Sequence, residues 1–315
     1  MRSLGVKIIQ HRATAKPRNR ETSGECVPRL SVRKTYKLYI NGEFPRTESG
    51  RFYAVRGKGG ELLANACRGS RKDLRNSVQA ARKAFPGWSG KTAFNRGQIL
   101  YRIAEVCEAR AAELVDELRR QGSSAADARR EVAALTDRWV YYAGWSDKYP
   151  QVFGSVNPVA GPYYNFTVPE PTGVVGVVAP EEPALLGLVS RIAPAMVGGN
   201  TVIAITSESR PLAAITLGEI FETSDVPAGV VNLISGLKNE LVPWMASHMD
   251  INAIDTTGVA EVAIPAVQKT AAENVKRVVH FNAGKIGWDD ATRSQSPYAI
   301  FDFQEMKTVW HPIGM

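Results

Sequence analysis

The stretch VVAPEEPALLG (177–187) puts two adjacent carboxylates, Glu181 and Glu182, where a β-branched run gives way to an apolar, helix-like segment. Paired carboxylates at a strand end could work as general acid and base. Lying just before Pro183, they also hold the position of first-turn carboxylates facing the positive end of a helix dipole. Helix capping is therefore the structural role expected of them. The cysteines offer less. Cys26, Cys67 and Cys107 are widely spaced and contain no C-x-x-C pair, so they read as reduced thiols and indicate neither a zinc site nor a disulfide framework. His11, His248, His280 and His311 are scattered, and no metal site is expected.

The elements that position the carboxylates form a regular series. From Gly173 onward GVVGVVAP, NTVIAIT, VVNLISG, INAIDTTG and KRVVHFN are short β-branched runs, separated by PALLGLVSRIAPAMVGG, PLAAITLGEIFETSD, ELVPWMASHM and AEVAIPAVQKTAAEN, all helix-like. This alternation predicts right-handed crossovers and a parallel sheet covered on both faces. The fold class is α/β, a doubly wound Rossmann-type sheet. Such sheets bind ligands at the carboxyl ends of their strands, often with phosphates near a helix N-terminus. The G-x-G-x-x-G motif is missing, and GVVGVV places its glycines inside a strand. Fold thus suggests a dinucleotide while sequence supplies no phosphate loop.

Upstream, KLYINGEF (37–44), SGRFYAVRG (49–57) and ELLANACRG (61–69) alternate apolar and polar residues between glycine-bearing turns, which predicts a small antiparallel sheet. Helices are expected over 70–85, opening on Ser70 and stopping before Pro86, then over 95–122 and 125–149. Residues 150–168 read as a hairpin around Asn-Pro and Gly-Pro turns, with little to pack against locally.

The 315 residues are 44% hydrophobic, enough to bury a full core in one large domain or two smaller ones. Residues 1–34 hold nine Lys and Arg against two Glu, so seven of the eight net positive charges sit there. A polar, basic stretch of this kind is expected to be a disordered tail, with an organelle transit peptide as the other reading. Nucleic acid is not a suggested partner, because no aromatic residue is interleaved among Arg12, Lys16, Arg18 and Arg20 for stacking on bases. No apolar run approaches a membrane span and no secretory signal opens the chain, so the expected compartment is the cytoplasm.

Several segments, in order, carry a family likeness: YINGEF, AARKAFPGW, RGQILYRIAEVCEARAAEL, VPEPTGVVGVVAP, GGNTVIAI, DVPAGVVNLISG and DTTG. From about Lys37 to Lys285 the chain resembles the aldehyde dehydrogenase superfamily, whose members oxidise aldehydes with NAD or NADP through a cysteine thiohemiacetal. The resemblance implies a nucleophilic cysteine in a separate domain beyond the segment matched by NAGK (282–285). No cysteine follows Gly284 here. The family's general-base glutamate falls on Phe281, which cannot accept a proton. Its oxyanion-stabilising asparagine falls on Glu181, whose carboxylate can only accept hydrogen bonds and would repel a developing negative charge. The implied catalytic residues are thus absent.

For the cofactor, the resemblance places a lysine–glutamate ribose pair on Ile205 and Glu208, so the lysine is lost and the carboxylate kept. The motif that approaches the cofactor reads TTGV (256–259), keeping Thr257 and Gly258, while a later glycine becomes Ala263. Glu208, Thr257 and Gly258 are the implied cofactor-binding residues, and NAD or NADP binding is expected to be weak or lost.

The resemblance resumes in FDFQEMKTVWHPIG, which matches the strand closing family members. With the hairpin, that strand builds the sheet through which their subunits pair. The expected division is then a tail (1–36), a small sheet with helices (37–149), an oligomerisation hairpin (150–170), a Rossmann-type domain (171–285), a linker in place of the catalytic domain (286–300) and an oligomerisation strand (301–315). The function expected is a non-catalytic or degenerate subunit that assembles with itself or with a full-length aldehyde dehydrogenase. The alternative is an NAD(P)-dependent oxidoreductase acting on aldehydes.

Overall fold

The structure, a computed structural model, describes residues 34–281 and 287–314. The expected tail, Cys26 and the NAGK segment lie outside the described residues, apart from Lys34, Thr35 and Tyr36. A two-stranded antiparallel ribbon, β1 (Phe52–Arg56) and β2 (Leu62–Cys67), is followed by helices α1 (Arg71–Ser89), α2 (Ala93–Ala109), α3 (Ala111–Arg120), α4 (Ala125–Trp145) and α5 (Tyr149–Phe153). Strands β3 (Ser155–Asn157) and β4 (Tyr163–Pro171) lead into the α/β series. That series is β5 (Val174–Val178), α6 (Leu186–Val197), β6 (Thr201–Ile205), α7 (Leu212–Glu222), β7 (Val231–Ile234), α8 (Lys238–Ser247), β8 (Ala253–Asp255), α9 (Ile264–Ala271) and β9 (Arg277–Val279). Two short helices, α10 (Ala291–Ser294) and α11 (Tyr298–Phe301), precede β10 (Gln304–Pro312).

The five β-branched runs form one parallel sheet in the order β7-β6-β5-β8-β9. Every residue of β5 and β6 is buried. Coverage on both faces explains why these strands read as unbroken apolar runs with no alternation. Among the described residues, no helix is long and apolar enough to cross a membrane.

Local signals set several boundaries. Ser70 caps α1 by accepting from Asp73 N, and the Asp73 carboxylate accepts from Ser70 N, closing a capping box. The helix runs past Pro86, where the sequence suggests a stop, because Trp88 is buried and its indole donates to Met196 O at 3.0 Å. Burial of so large a side chain outweighs the breaker. The helix expected over 95–122 is split at Arg110, whose guanidinium pairs with Glu113 and Glu219, both at 2.7 Å. The segment 37–44 does not extend the ribbon: Tyr39 N donates to Leu233 O and Leu233 N to Tyr39 O, fixing it to the edge of the parallel sheet at β7.

The hairpin holds one long strand and one short one. β4 pairs with three residues of β3 on one side and with all nine of β10 on the other, from Gln304 opposite Pro171 to Pro312 opposite Tyr163. The segment expected to be a linker is folded across 287–300: Trp288, Ser294 and Ile300 are buried, and Phe303 beyond it is buried too. Arg138 on α4 accounts for this order. Its Nε donates to Gln295, and its two Nη groups donate to the Trp288 and Ser294 carbonyls and to the Ser190 and Ser294 hydroxyls. A polar, turn-rich stretch is thereby held by one guanidinium fork.

Candidate functional site

The chain lays down β5, winds outward through β6 and β7, then crosses back to add β8 and β9 on the other side. The direction of winding therefore reverses between β5 and β8, and the carboxyl ends of these strands flank the crevice in which such sheets hold ligands. Lys238, the first residue of α8, reaches into that crevice. Its Nζ donates to Ala179 O at 2.6 Å and Gly258 O at 3.2 Å, and it forms an ion pair with Glu181. Ala179 follows β5 and Gly258 lies just beyond β8, so one ammonium joins the two sides. Three N–H donors meet three acceptors.

Glu181 does not cap α6, contrary to the role expected from sequence. The N–H groups of Leu185, just before that helix, and of Leu186, its first residue, donate to Glu131 Oε1 of α4 at 2.9 and 3.0 Å. Burial raises the Glu131 carboxyl above its ordinary range, although both hydrogen bonds oppose the shift. With the helix end already satisfied, Glu181 turns to the loop after β6. There it accepts from Glu208 N at 3.1 Å, Ser209 N at 3.0 Å, Ser209 Oγ at 2.7 Å and Ser207 Oγ at 2.9 Å. Partial burial would raise this carboxyl, but the Lys238 ammonium and the Ser209 donors outweigh it and hold the group at about 2. Glu182 departs separately and pairs with Arg210 at 2.7 Å. The two adjacent carboxylates thus face different partners and do not form an acid–base pair.

Beside the Lys238 bridge lies a cavity of about 630 Å3, mainly apolar, between α8 and α9. Val242, Pro243 and Ala246 form one wall, and Ala266 and Val267 the other. Thr257 and Gly258 stand at its inner end with Glu181 and Lys238. Gly258 has no room for a side chain, since an added Cβ would lie 1.9 Å from Ala179 O. Thr257 N donates to Asp255 Oδ1 at 2.9 Å, which fixes the turn leaving β8. Glu208 is outside this cavity: its Oε2 accepts from Lys238 N at 2.9 Å and so caps α8.

Phe281 has a structural partner set. Its ring lies 5.4 Å from that of Trp288, and the Arg191 guanidinium stands 4.9 Å above it. Arg191 is itself buried against the Asp255 carboxylate and reaches Asp302 at 3.7 Å. An aromatic ring at this position thus packs the folded 287–303 segment onto α6 and β8. Cys107 is buried on α2 in the core, where burial pushes its thiol up to about 12, and Cys67 is buried at the end of β2. Neither lines the cavity. Among the described residues, no group of three or more His, Cys, Asp and Glu is placed to hold a metal ion.

Two residues central to this geometry escape a linear reading. Lys238 had one available signal, a cation in the first helical turn after the VVNLISG strand, where a helix dipole disfavours it. Glu131 had none, because its partners are 54 and 55 residues away.

Comparison with known proteins agrees with the geometry. Residues 45–286 match the model of the aldehyde dehydrogenase family. The chain is 31% identical over 280 residues to aldehyde dehydrogenase family 2 member B4, mitochondrial, of Arabidopsis thaliana, covering 87% of this chain and 49% of that protein. It is 34% identical to human retinal dehydrogenase 2, covering 82% of this chain and 50% of the relative. An NAD+ complex of aldehyde dehydrogenase from Bacillus cereus superposes with a TM-score of 0.74 at 28% identity, over 78% of this chain and 50% of that one. The chain therefore spans about half the length of these relatives. With the parallel sheet, the reversal between β5 and β8 and the matched segments together, this chain belongs to the aldehyde dehydrogenase family.

Proposed function

We propose that this chain is a non-catalytic member of its family, acting as a subunit that assembles with itself or with a full-length aldehyde dehydrogenase through β3, β4 and β10. The observation that carries this reading is the nine-residue pairing of β10 with β4, which leaves the outer edge of β10 free among the described residues. A long free edge is a template for strand addition. Aromatic side chains suited to interface contact are exposed on the same sheet, with Tyr163 43%, Tyr164 46% and Trp310 59% accessible. Against catalysis stand Glu181, an acceptor where the family's oxyanion donor falls, Phe281 in place of the base, and described cysteines confined to the core.

NAD binding is a property of the Bacillus cereus relative. In this chain the residues at the strand ends do not fit an intact dinucleotide, because Lys238 bridges the crevice and Glu181 occupies the nearby N–H donors. These contacts support the reading that NAD and NADP bind weakly or not at all.

Native mass spectrometry of the purified protein, alone and mixed with a full-length aldehyde dehydrogenase from the same source, tests the assembly. Homo-oligomers or mixed oligomers are expected, and Thr308→Pro in the middle of β10 should abolish either. A wild-type protein that stays monomeric in both samples, or one that oxidises aldehydes with NAD or NADP, overturns the reading.

A further inference from the structure

Hydrogen bonds at the two ends of β10 fix which of its backbone groups point away from β4. Thr172 N donates to Phe303 O at 3.2 Å, and Ile313 N donates to Pro162 O at 2.9 Å. Hydrogen-bonded residues alternate along an antiparallel pair, so the odd-numbered residues of β10 bond to β4. The even-numbered ones, Gln304, Met306, Thr308, Trp310 and Pro312, direct their backbone groups outward. This outward row is incomplete at both ends. Gln304 O already accepts from Arg277 Nη1 at 2.6 Å, and Pro312 has no N–H to donate.

We infer that the partner this edge selects is a second copy of the same strand, paired antiparallel about a two-fold axis at Thr308. In that register Pro312 of each chain comes opposite Gln304 of the other, so the missing donor meets the occupied acceptor. Met306 then exchanges backbone hydrogen bonds with Trp310, and Thr308 with its own counterpart. Any other antiparallel self-pairing sets Pro312 or the Gln304 carbonyl against a group that needs a bond, or draws fewer of these residues into the ladder. The side chains fit the same register. Met306, 37% exposed, meets the ring of Trp310, 59% exposed, in a sulfur–aromatic contact, and Thr308 meets Thr308. On the other face Glu305 comes opposite His311, and Lys307, which pairs with Glu170 at 2.9 Å, comes opposite Val309. The two three-stranded sheets become one, and the edges left at its ends belong to β3, only three residues long. Edges that short do not propagate strand addition, so the assembly closes at a dimer. The pairing rests on the reading of β10 as the assembly edge and decides between the two partners proposed for it.

A cysteine scan of the full chain reads the register: Met306→Cys, Lys307→Cys, Thr308→Cys, Val309→Cys and Trp310→Cys, each combined with Cys26→Ser, oxidised and run on non-reducing gels. Cys67 and Cys107 are buried and give little background. At Thr308 the facing Cα atoms lie about 5.5 Å apart, within disulfide reach, whereas each step from the axis separates identical positions by about 7 Å along the strand. Thr308→Cys should therefore cross-link at least about tenfold more than the other four. Mixed Met306→Cys and Trp310→Cys chains should give a dimer that neither gives alone, which reads the register even if Thr308→Cys fails to fold. A maximum at another position overturns the register. Native mass spectrometry of the wild type should show a dimer and nothing larger, and larger oligomers overturn the closed two-fold arrangement. A dimer with no cross-linking position along β10 overturns both the pairing and assembly through this edge. A chain that is monomeric alone but forms mixed oligomers with a full-length aldehyde dehydrogenase overturns the self-pairing and leaves assembly standing. A monomer in both samples overturns both.

Discussion

Replacing Arg138 with Met tests whether residues 287–303 are an integral part of the fold. The substitution keeps an apolar stem of similar length and deletes the guanidinium, which makes five hydrogen bonds: one to Ser190 and four to Trp288, Ser294 and Gln295. The hydroxyls of Ser190 and Ser294 keep their own acceptors, Leu186 O at 2.7 Å and Asp290 O at 2.6 Å. The carbonyls of Trp288 and Ser294 lose the guanidinium donors that reach them at 3.0 and 2.8 Å. Each stranded buried carbonyl costs about 1–3 kcal/mol, so about 2–6 kcal/mol for the pair. Part of this is offset because a desolvated cation is removed, the same burial that lowers the Arg138 pKa. A net loss of about 2–4 kcal/mol is expected. Urea unfolding followed by tryptophan fluorescence measures it, and limited proteolysis should show new cleavage within 287–300. A loss below about 0.5 kcal/mol with no new cleavage would refute the argument that this fork holds the segment.

Two further outcomes follow from the strand-end geometry. Gly258→Ala forces a Cβ against Ala179 O and should destabilise the protein by about 1–3 kcal/mol, read from the urea midpoint, because backbone on both sides leaves no flexible group to yield. Glu181→Gln probes pH dependence: the wild-type carboxyl sits at about 2, below its ordinary value of 4.5. A depressed carboxylate stabilises the fold above its ordinary value and loses that contribution as pH falls through the folded value. The stability advantage of wild type over Glu181→Gln should therefore be full above pH 4.5 and decline toward pH 2. Because the Glu181 side chain is 44% exposed, added salt should narrow the advantage at neutral pH. Equal stability of the two proteins from pH 7 down to acid would contradict the Lys238 pairing.

Much of the architecture is legible along the chain. The five strands of the parallel sheet coincide with GVVGVVAP, NTVIAIT, VVNLISG, INAIDTTG and KRVVHFN, since burial on both faces requires uninterrupted apolar side chains whatever the neighbours are. Ser70 is equally plain, because a capping box is a contact over three residues. The failures are also physical. Pro86 signals a stop, but the helix ends where Trp88 reaches its burial site on α6. Residues 287–300 carry no periodicity because a buried arginine on α4 supplies their order.

The carboxylates at 181 and 182 mark the boundary most sharply. Sequence determined that they lie at a strand end before an apolar helix, and that Glu181 cannot donate a hydrogen bond at neutral pH. It could not assign their partners. Glu131, 50 residues earlier in the chain, accepts the N–H groups at the start of α6, and Lys238, 57 residues later, offers a cation across the crevice. Local propensity is a property of neighbours in the chain. Competition among distant donors for one carboxylate is settled only when the sheet brings them together.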